Sequence, residues 1–236
     1  MTSTEPKRFY TVVDVAASHD GFVILLDGKA VRTPGGAAQA LPTKSLAEAI
    51  AEEWRAQGPK LDTSSMQLTK SVNSVIDRIA PRRAEVIADL AGFGESDLLC
   101  YRAEAPEILV RRQSDNWDPW LRWAAMDLGT PLKVTTGMTH IEQDLGALSA
   151  IRAAMEKFEV FSLPALHAAV TITGSAVLGL AFTLRRIGAE EAFALSQVDE
   201  VFQAERWGRD AEAEAARTNK LNELLRAQRL LDLLTC

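Results

Sequence analysis

Few side chains in this sequence are spaced for catalysis. The three histidines, His19, His140 and His167, stand far apart. His140 lies in a polar stretch with Glu142 and Asp144, a weak hint of a metal site. His167 lies on an apolar helical stretch, where a core histidine holding one hydrogen bond is expected before a ligand or base. His19 belongs to a turn. Gly92-Phe93-Gly94-Glu95-Ser96 is glycine-rich but lacks the remaining residues of a phosphate loop, so it reads as a helix stop. No G-x-G-x-x-G follows a strand, and neither G-x-S-x-G nor H-E-x-x-H occurs. Two cysteines, Cys100 and Cys236, are too few for a disulfide framework or a cysteine-rich metal site. Cys100 reads as a small core residue and Cys236 as a fraying chain end.

The carboxylates carry more information. Eight acids fall between Glu190 and Glu214: Glu190, Glu191, Asp199, Glu200, Glu205, Asp210, Glu212 and Glu214. Only Arg206 and Arg209 oppose them. A helix over 189–207 would place Ala194, Leu195, Val198, Val201 and Phe202 inward. Glu191 and Glu205 then fall within the apolar arc and Asp199 at its edge. Glu200 points away, beside Phe193 and Trp207. A solvated acidic face explains any single acid. A carboxylate on an apolar arc is costly unpaired, so Glu205 calls for an arginine partner in this chain or another.

The elements that must position these residues follow from periodicity. Residues 9–17 and 21–26 are rich in β-branched side chains, with His19-Asp20-Gly21 between them as a hairpin signal. Asp27-Gly28 and Pro34-Gly35-Gly36 mark further turns, and 39–41 offers a last short strand. Helices follow Pro42. Ser45-Leu46-Ala47-Glu48 reads as a capping box, with Leu46, Ile50 and Trp54 on one face. Met66 to Ile79 gives a second helix, and Pro81 opens a third. Leu145 to Phe158 and Ala211 to Leu234 are helical by the same spacing. Leu163 to Leu184 lacks Asp, Glu, Lys and Arg and is long enough to span a bilayer. Its polar residues and Gly174-Ser175 favour two short buried helices, roughly 162–173 and 175–187.

The stretch from Asp97-Leu98-Leu99-Cys100-Tyr101-Arg102 through Pro106 to Trp117-Asp118-Pro119-Trp120 joins the two regions. Leu109, Trp117, Leu121, Ala124 and Leu128 make one helical stripe. Pro119 is expected to kink or restart that helix, with Asp118 as the new N-cap.

The fold class is α+β: a small antiparallel β domain over 1–42, its boundary open into part of 43–65, then a larger all-helical domain over 43–236. The 47% hydrophobic content suits a full core, and a net charge of −6 with a pI near 5.2 argues against nucleic-acid binding. Residues 1–8 carry neither a secretory signal nor an Arg-rich transit helix.

Ala49-Ile50-Ala51-Glu52-Glu53-Trp54, Met66-Gln67-Leu68-Thr69, Ile76-Asp77-Arg78, Asp97 to Arg102, Pro106, Trp117-Asp118-Pro119 and the acidic helix ending at Trp207-Gly208 occur in that order over roughly 8–208. In this the chain resembles the F-type ATP synthase assembly chaperones that bind the unassembled alpha subunit of the catalytic head. Gln67 stands where the family's pattern has proline. The resemblance implies a β domain joined to a helical one, no catalysis and no cofactor. It implies alpha-subunit binding until the beta subunit displaces the chaperone. It also implies an important acid just before the Trp-Gly pair, matching Asp199 or Glu200. The expected partner-binding residues are Asp199, Glu200, Glu205 and Trp207. The expected setting is the bacterial cytoplasm, or the mitochondrial matrix for a processed eukaryotic member. The competing readings are a small-molecule enzyme with a cleft between the β and helical domains, using His140 or His167, and a scaffold subunit of a stable complex.

Overall fold

The structure, a computed structural model, describes residues 6–208 and 210–235; Arg209, Cys236 and Met1 to Glu5, read above from sequence, lie outside the described residues. The chain folds as a small antiparallel sheet followed by a mostly helical region. It divides into two compact units. The first holds the chain up to Arg83, together with Val160–Pro164 and Arg229 onward; the second holds Ala84–Glu159 and Ala165–Gln228.

In the first unit, β1 (Val13–Ser18), β2 (Gly21–Leu26) and β3 (Lys29–Ala30) form an antiparallel meander in that order. β1 and β2 pair from Val13↔Leu26 to Ser18↔Gly21. Gly21 takes φ +125°, and a Cβ there would collide with the Leu41 carbonyl oxygen. Only glycine allows Phe22 and Leu41 to exchange backbone hydrogen bonds at 2.9 and 2.8 Å. The Asp27-Gly28 turn has φ of +48° and +78°, the two positive values of a type I′ hairpin. The Asp27 carboxylate accepts the Val12 and Thr11 amides, which hold its pKa below the usual value. Residues 39–41 form no strand; Leu41 alone of them makes an isolated bridge, to Phe22.

The inner face of the meander presents Val13, Ile24 and Leu26. Leu46, Ala47, Ile50 and Ala51 of α1 (Lys44–Arg55) cover it. The helix that covers the sheet therefore shares its core, and this unit extends past residue 42. Phe161 and Leu230, distant in sequence, complete that core. The cap of α1 is Thr43, whose hydroxyl accepts the Leu46 amide at 3.2 Å. The Ser45 box is thus displaced by two residues. Thr43 also donates to the Leu233 carbonyl at 2.6 Å, a contact Ser45 does not make.

α2 (Gln67–Ser74) has no side-chain cap of its own. Glu53 supplies one from α1: its carboxylate accepts the Leu68 and Thr69 amides at 2.7 and 2.8 Å and the Thr69 hydroxyl at 2.8 Å. An anion there meets the positive end of the helix dipole. Glu53→Ala is expected to cost about 1–2 kcal/mol in chemical denaturation, and Glu53→Asp to recover little because the shorter side chain withdraws from both amides. Gln67 is the first residue of α2, a position where neither proline nor glutamine needs an amide partner. The helix continues through a π turn, Val75–Ile79. Asp77 of that turn accepts the Thr33 hydroxyl at 2.6 Å and the Gly35 amide at 2.9 Å.

The second unit contains α3 (Arg83–Ala91), α4 (Glu107–Asp127), α5 (Leu145–Met155), most of α6 (Leu163–Thr173), α7 (Ala176–Thr183), α8 (Ala189–Ser196), α9 (Val198–Trp207) and α10 (Ala211–Leu234) as far as Gln228. β4 (Tyr101–Arg102) and β5 (Thr135–Thr136) form a short parallel pair. Every residue of α7 is buried. A Cβ on Gly179 would strike Val170, so glycine sets the approach of α6 and α7. No helix among the described residues is long and apolar enough to cross a membrane.

Two expectations change here. α4 continues through Pro119 as one helix, so no restart occurs there. Asp118 caps nothing; it accepts from Arg102 at 2.7 Å, and the neighbouring Trp117 is 1% exposed, so packing on both sides of the proline outweighs its local cost. His167 faces solvent beside Thr171 on the exposed row of α6, rather than the core.

Candidate partner-binding surface

The junction stretch is a bracket that holds α7, α8 and α9. Asp97, wholly buried, accepts the Leu99 amide at 3.0 Å and the Val177 amide at 3.1 Å, which ties the bracket to the first turn of α7. Burial pushes its pKa up to about 6 against the lowering effect of those amides. The folded state therefore keeps a proton that the unfolded chain has lost, and Asp97 favours folding most at low pH. That contribution falls as pH rises from about 4 through about 6. Wild-type stability relative to Asp97→Asn is expected to drop by roughly 2 kcal/mol between pH 4 and pH 7. Parallel denaturation profiles for the two chains over that range would contradict this. Cys100 beside it is buried, and its thiol is pushed up to about 12 by burial and then by the Asp97 charge, so it is an inert core residue.

Arg102 donates to the Leu99 carbonyl at 3.0 Å and lies 5.2 Å from the Trp117 ring centroid. The Trp117 indole donates to the Leu195 carbonyl at 2.8 Å, near the C-terminus of α8. Four residues before Trp117, buried Gln113 joins two elements. Its oxygen accepts the Ala103 amide at 2.8 Å, and its nitrogen donates to Asp199 at 2.7 Å.

α8 and α9 are two helices rather than one, broken at Gln197. The break rotates the wheel. Leu195, Val198 and Phe202 are buried as the single helix would have them, but Phe193 is buried too, and Ala194 and Val201 are exposed. Glu205 pairs with Arg112 at 2.7 Å, so its arginine lies in this chain. Arg112 and Arg206 both lie against the Phe202 ring, at 5.5 and 4.6 Å.

The acids now separate by role. Glu190 and Glu191 occupy the first turn of α8, and Asp199 and Glu200 that of α9. Glu212 and Glu214 occupy the first turn of α10, where Asp210 accepts the Ala213 amide at 2.8 Å. Most of the cluster thus sits where helix dipoles favour negative charge. Glu200, like Glu190, Glu191 and Glu212, is exposed with no hydrogen bond or ion pair among the described residues, but of these four Glu200 alone shares a groove wall with Trp207. With Gln203, Ala204 and Trp207 it lines one side of an open groove of about 440 Å³, whose other side is Ala213, Arg217 and Lys220 of α10. Trp207 is 76% exposed.

Arg112 and Gln113 were not singled out from sequence. Gln113 sits at core spacing between Leu109 and Trp117, and a polar residue there demands a buried partner. The histidines do not converge. His140 lies 3.3 Å from the Tyr101 hydroxyl, and His19 pairs with adjacent Asp20. No three His, Cys, Asp or Glu side chains among the described residues could hold a metal.

The family model for the ATP12 chaperone protein matches residues 7–125. Atp12 from Paracoccus denitrificans has a crystal structure 45% identical in sequence, with a TM-score of 0.92 over 97% of this chain and 98% of that one. The chain belongs to the ATP12 chaperone family. A variant of the Paracoccus protein with one aspartate changed to lysine has a TM-score of 0.94 at 44% identity, over 98% of this chain and all of that one. The mitochondrial protein atp12 of Schizosaccharomyces pombe is 23% identical over 214 residues, 86% of this chain and 74% of that protein. ATP12-family relatives thus include bacterial proteins and a mitochondrial one.

Proposed function

We propose that this chain binds the unassembled alpha subunit of the F-type ATP synthase catalytic head and keeps it soluble until the beta subunit displaces it. Membership of the ATP12 family supports the broader part, a chaperone of ATP synthase assembly. The observation that carries the contact is the pairing of Glu200 with Trp207 on one groove wall. An unpaired carboxylate beside an exposed indole suits a client cation flanked by apolar surface. The charge orients the encounter and the ring supplies buried area. Asp199 and Glu205 belong to the same surface in a supporting role, because Gln113 and Arg112 already engage them.

An unassembled subunit exposes surface meant for its neighbours, which invites aggregation. Covering that surface needs no nucleotide, since the true neighbour competes for the same area. The reading assigns no chemical step to the chain, and the scattered histidines give the cleft-enzyme alternative no support. The bacterial cytoplasm is the proposed setting. Mixing the chain with refolded alpha subunit tests the proposal: a soluble complex is expected, and aggregation of alpha at an undiminished rate would overturn it.

A further inference from the structure

The first unit carries a surface of its own. Phe9, Tyr10 and Trp54 stack edge to face, with centroids 5.4 and 5.5 Å apart. They floor a pocket of about 350 Å³, within the usual range for ligand sites. Phe9 is 70% exposed there, far above what a core aromatic shows. The Trp54 indole N–H is buried and meets no acceptor.

The rim is cationic in a chain of net charge −6: Lys29 and Arg32 face one carboxylate, Asp27. Asp27 is occupied by the Thr11 and Val12 amides. Neither Lys29 nor Arg32 forms an ion pair within 4 Å among the described residues, although Arg32 donates to the Gly36 carbonyl at 2.8 Å and Lys29 lies within the field of Asp27. The same wall is β3, the edge of the sheet, with both residues exposed. An aromatic floor beside exposed cations suits a chain segment that joins apolar surface to negative charge.

We propose that this pocket docks an extended protein segment in which a large apolar side chain adjoins a carboxylate. The apolar side chain rests on Phe9 and Trp54, and the carboxylate meets Lys29 and Arg32.

The test is an NMR titration of the ¹⁵N-labelled full chain with the peptide acetyl-Gly-Glu-Leu-Phe-Glu-Gly-amide, following the indole N–H signals, with Trp54→Phe identifying that of Trp54. The expected result is a saturable shift of the Trp54 signal while the Trp117 signal stays still. Affinity is expected to fall about tenfold or more when both glutamates of the peptide become glutamine, and again in the Lys29→Glu, Arg32→Glu chain. Both replaced side chains are exposed, and an unmoved Trp117 signal verifies the fold. No saturable shift at about 2 mM peptide overturns the proposal, as does equal affinity for the two peptides. A Trp54 signal that moves on dilution, or on deleting residues 2–5, overturns it in favour of the chain itself as occupant.

Discussion

Replacing Glu200 by lysine and Trp207 by alanine should weaken alpha-subunit binding by at least roughly a hundredfold while leaving the melting temperature nearly unchanged. Both side chains are exposed, and Glu200 has no partner among the described residues to lose. An aromatic anchor removed from an interface costs on the order of 2 kcal/mol or more, and a reversed charge adds like-sign repulsion. Asp199→Asn and Glu205→Gln should behave in the opposite way. Each weakens a contact within the chain, to Gln113 or Arg112, so each should cost up to about 1 kcal/mol of stability with a smaller loss of binding. Calorimetric titration of alpha, with thermal melts of each variant, separates the two pairs. Equal binding losses across all four residues would mean that the whole helix face makes contact, rather than the groove wall.

The largest stability effect is expected at Trp117. It is buried, its indole donates to Leu195, and Arg102 lies against its face. Trp117→Ala removes about 3–5 kcal/mol of packing and leaves the Leu195 carbonyl and the Arg102 guanidinium poorly matched. The second unit should melt roughly 10 °C lower, read by circular dichroism. Trp120→Ala, at a half-buried position on the same helix, should cost much less. A loss below about 1 kcal/mol for Trp117 would contradict its place as the bracket's anchor.

Much of this was legible in the sequence. Turn residues such as Asp27-Gly28 and helical spacing such as Leu68-Val72 marked the meander and the helices, because local sterics and one-sided burial decide both. Gly174-Ser175 correctly divided the long apolar segment. The misplacements have physical reasons. Gln197 is neither glycine nor proline, so nothing local announced the break between α8 and α9, and the helical wheel ran on past it. Pro119 announced a break that packing around Trp117 and Asp118 overrode. Thr43 took the cap from Ser45 through its bond to Leu233, 190 positions away. The partner of Glu205 was foreseen as an arginine, but only the fold could select Arg112. The candidate surface was half legible: the acids stood out as a cluster, whereas their division into helix-end, internally paired and free carboxylates depends on where each helix begins.

The most direct test is size-exclusion chromatography of the chain mixed with separately produced alpha subunit, then repeated after adding beta subunit. The chain should co-elute with alpha, and it should return to its free position as the alpha–beta assembly forms. Failure to co-elute while alpha remains soluble, or retention of the chain on the completed alpha–beta assembly, would contradict a chaperone that yields to the beta subunit.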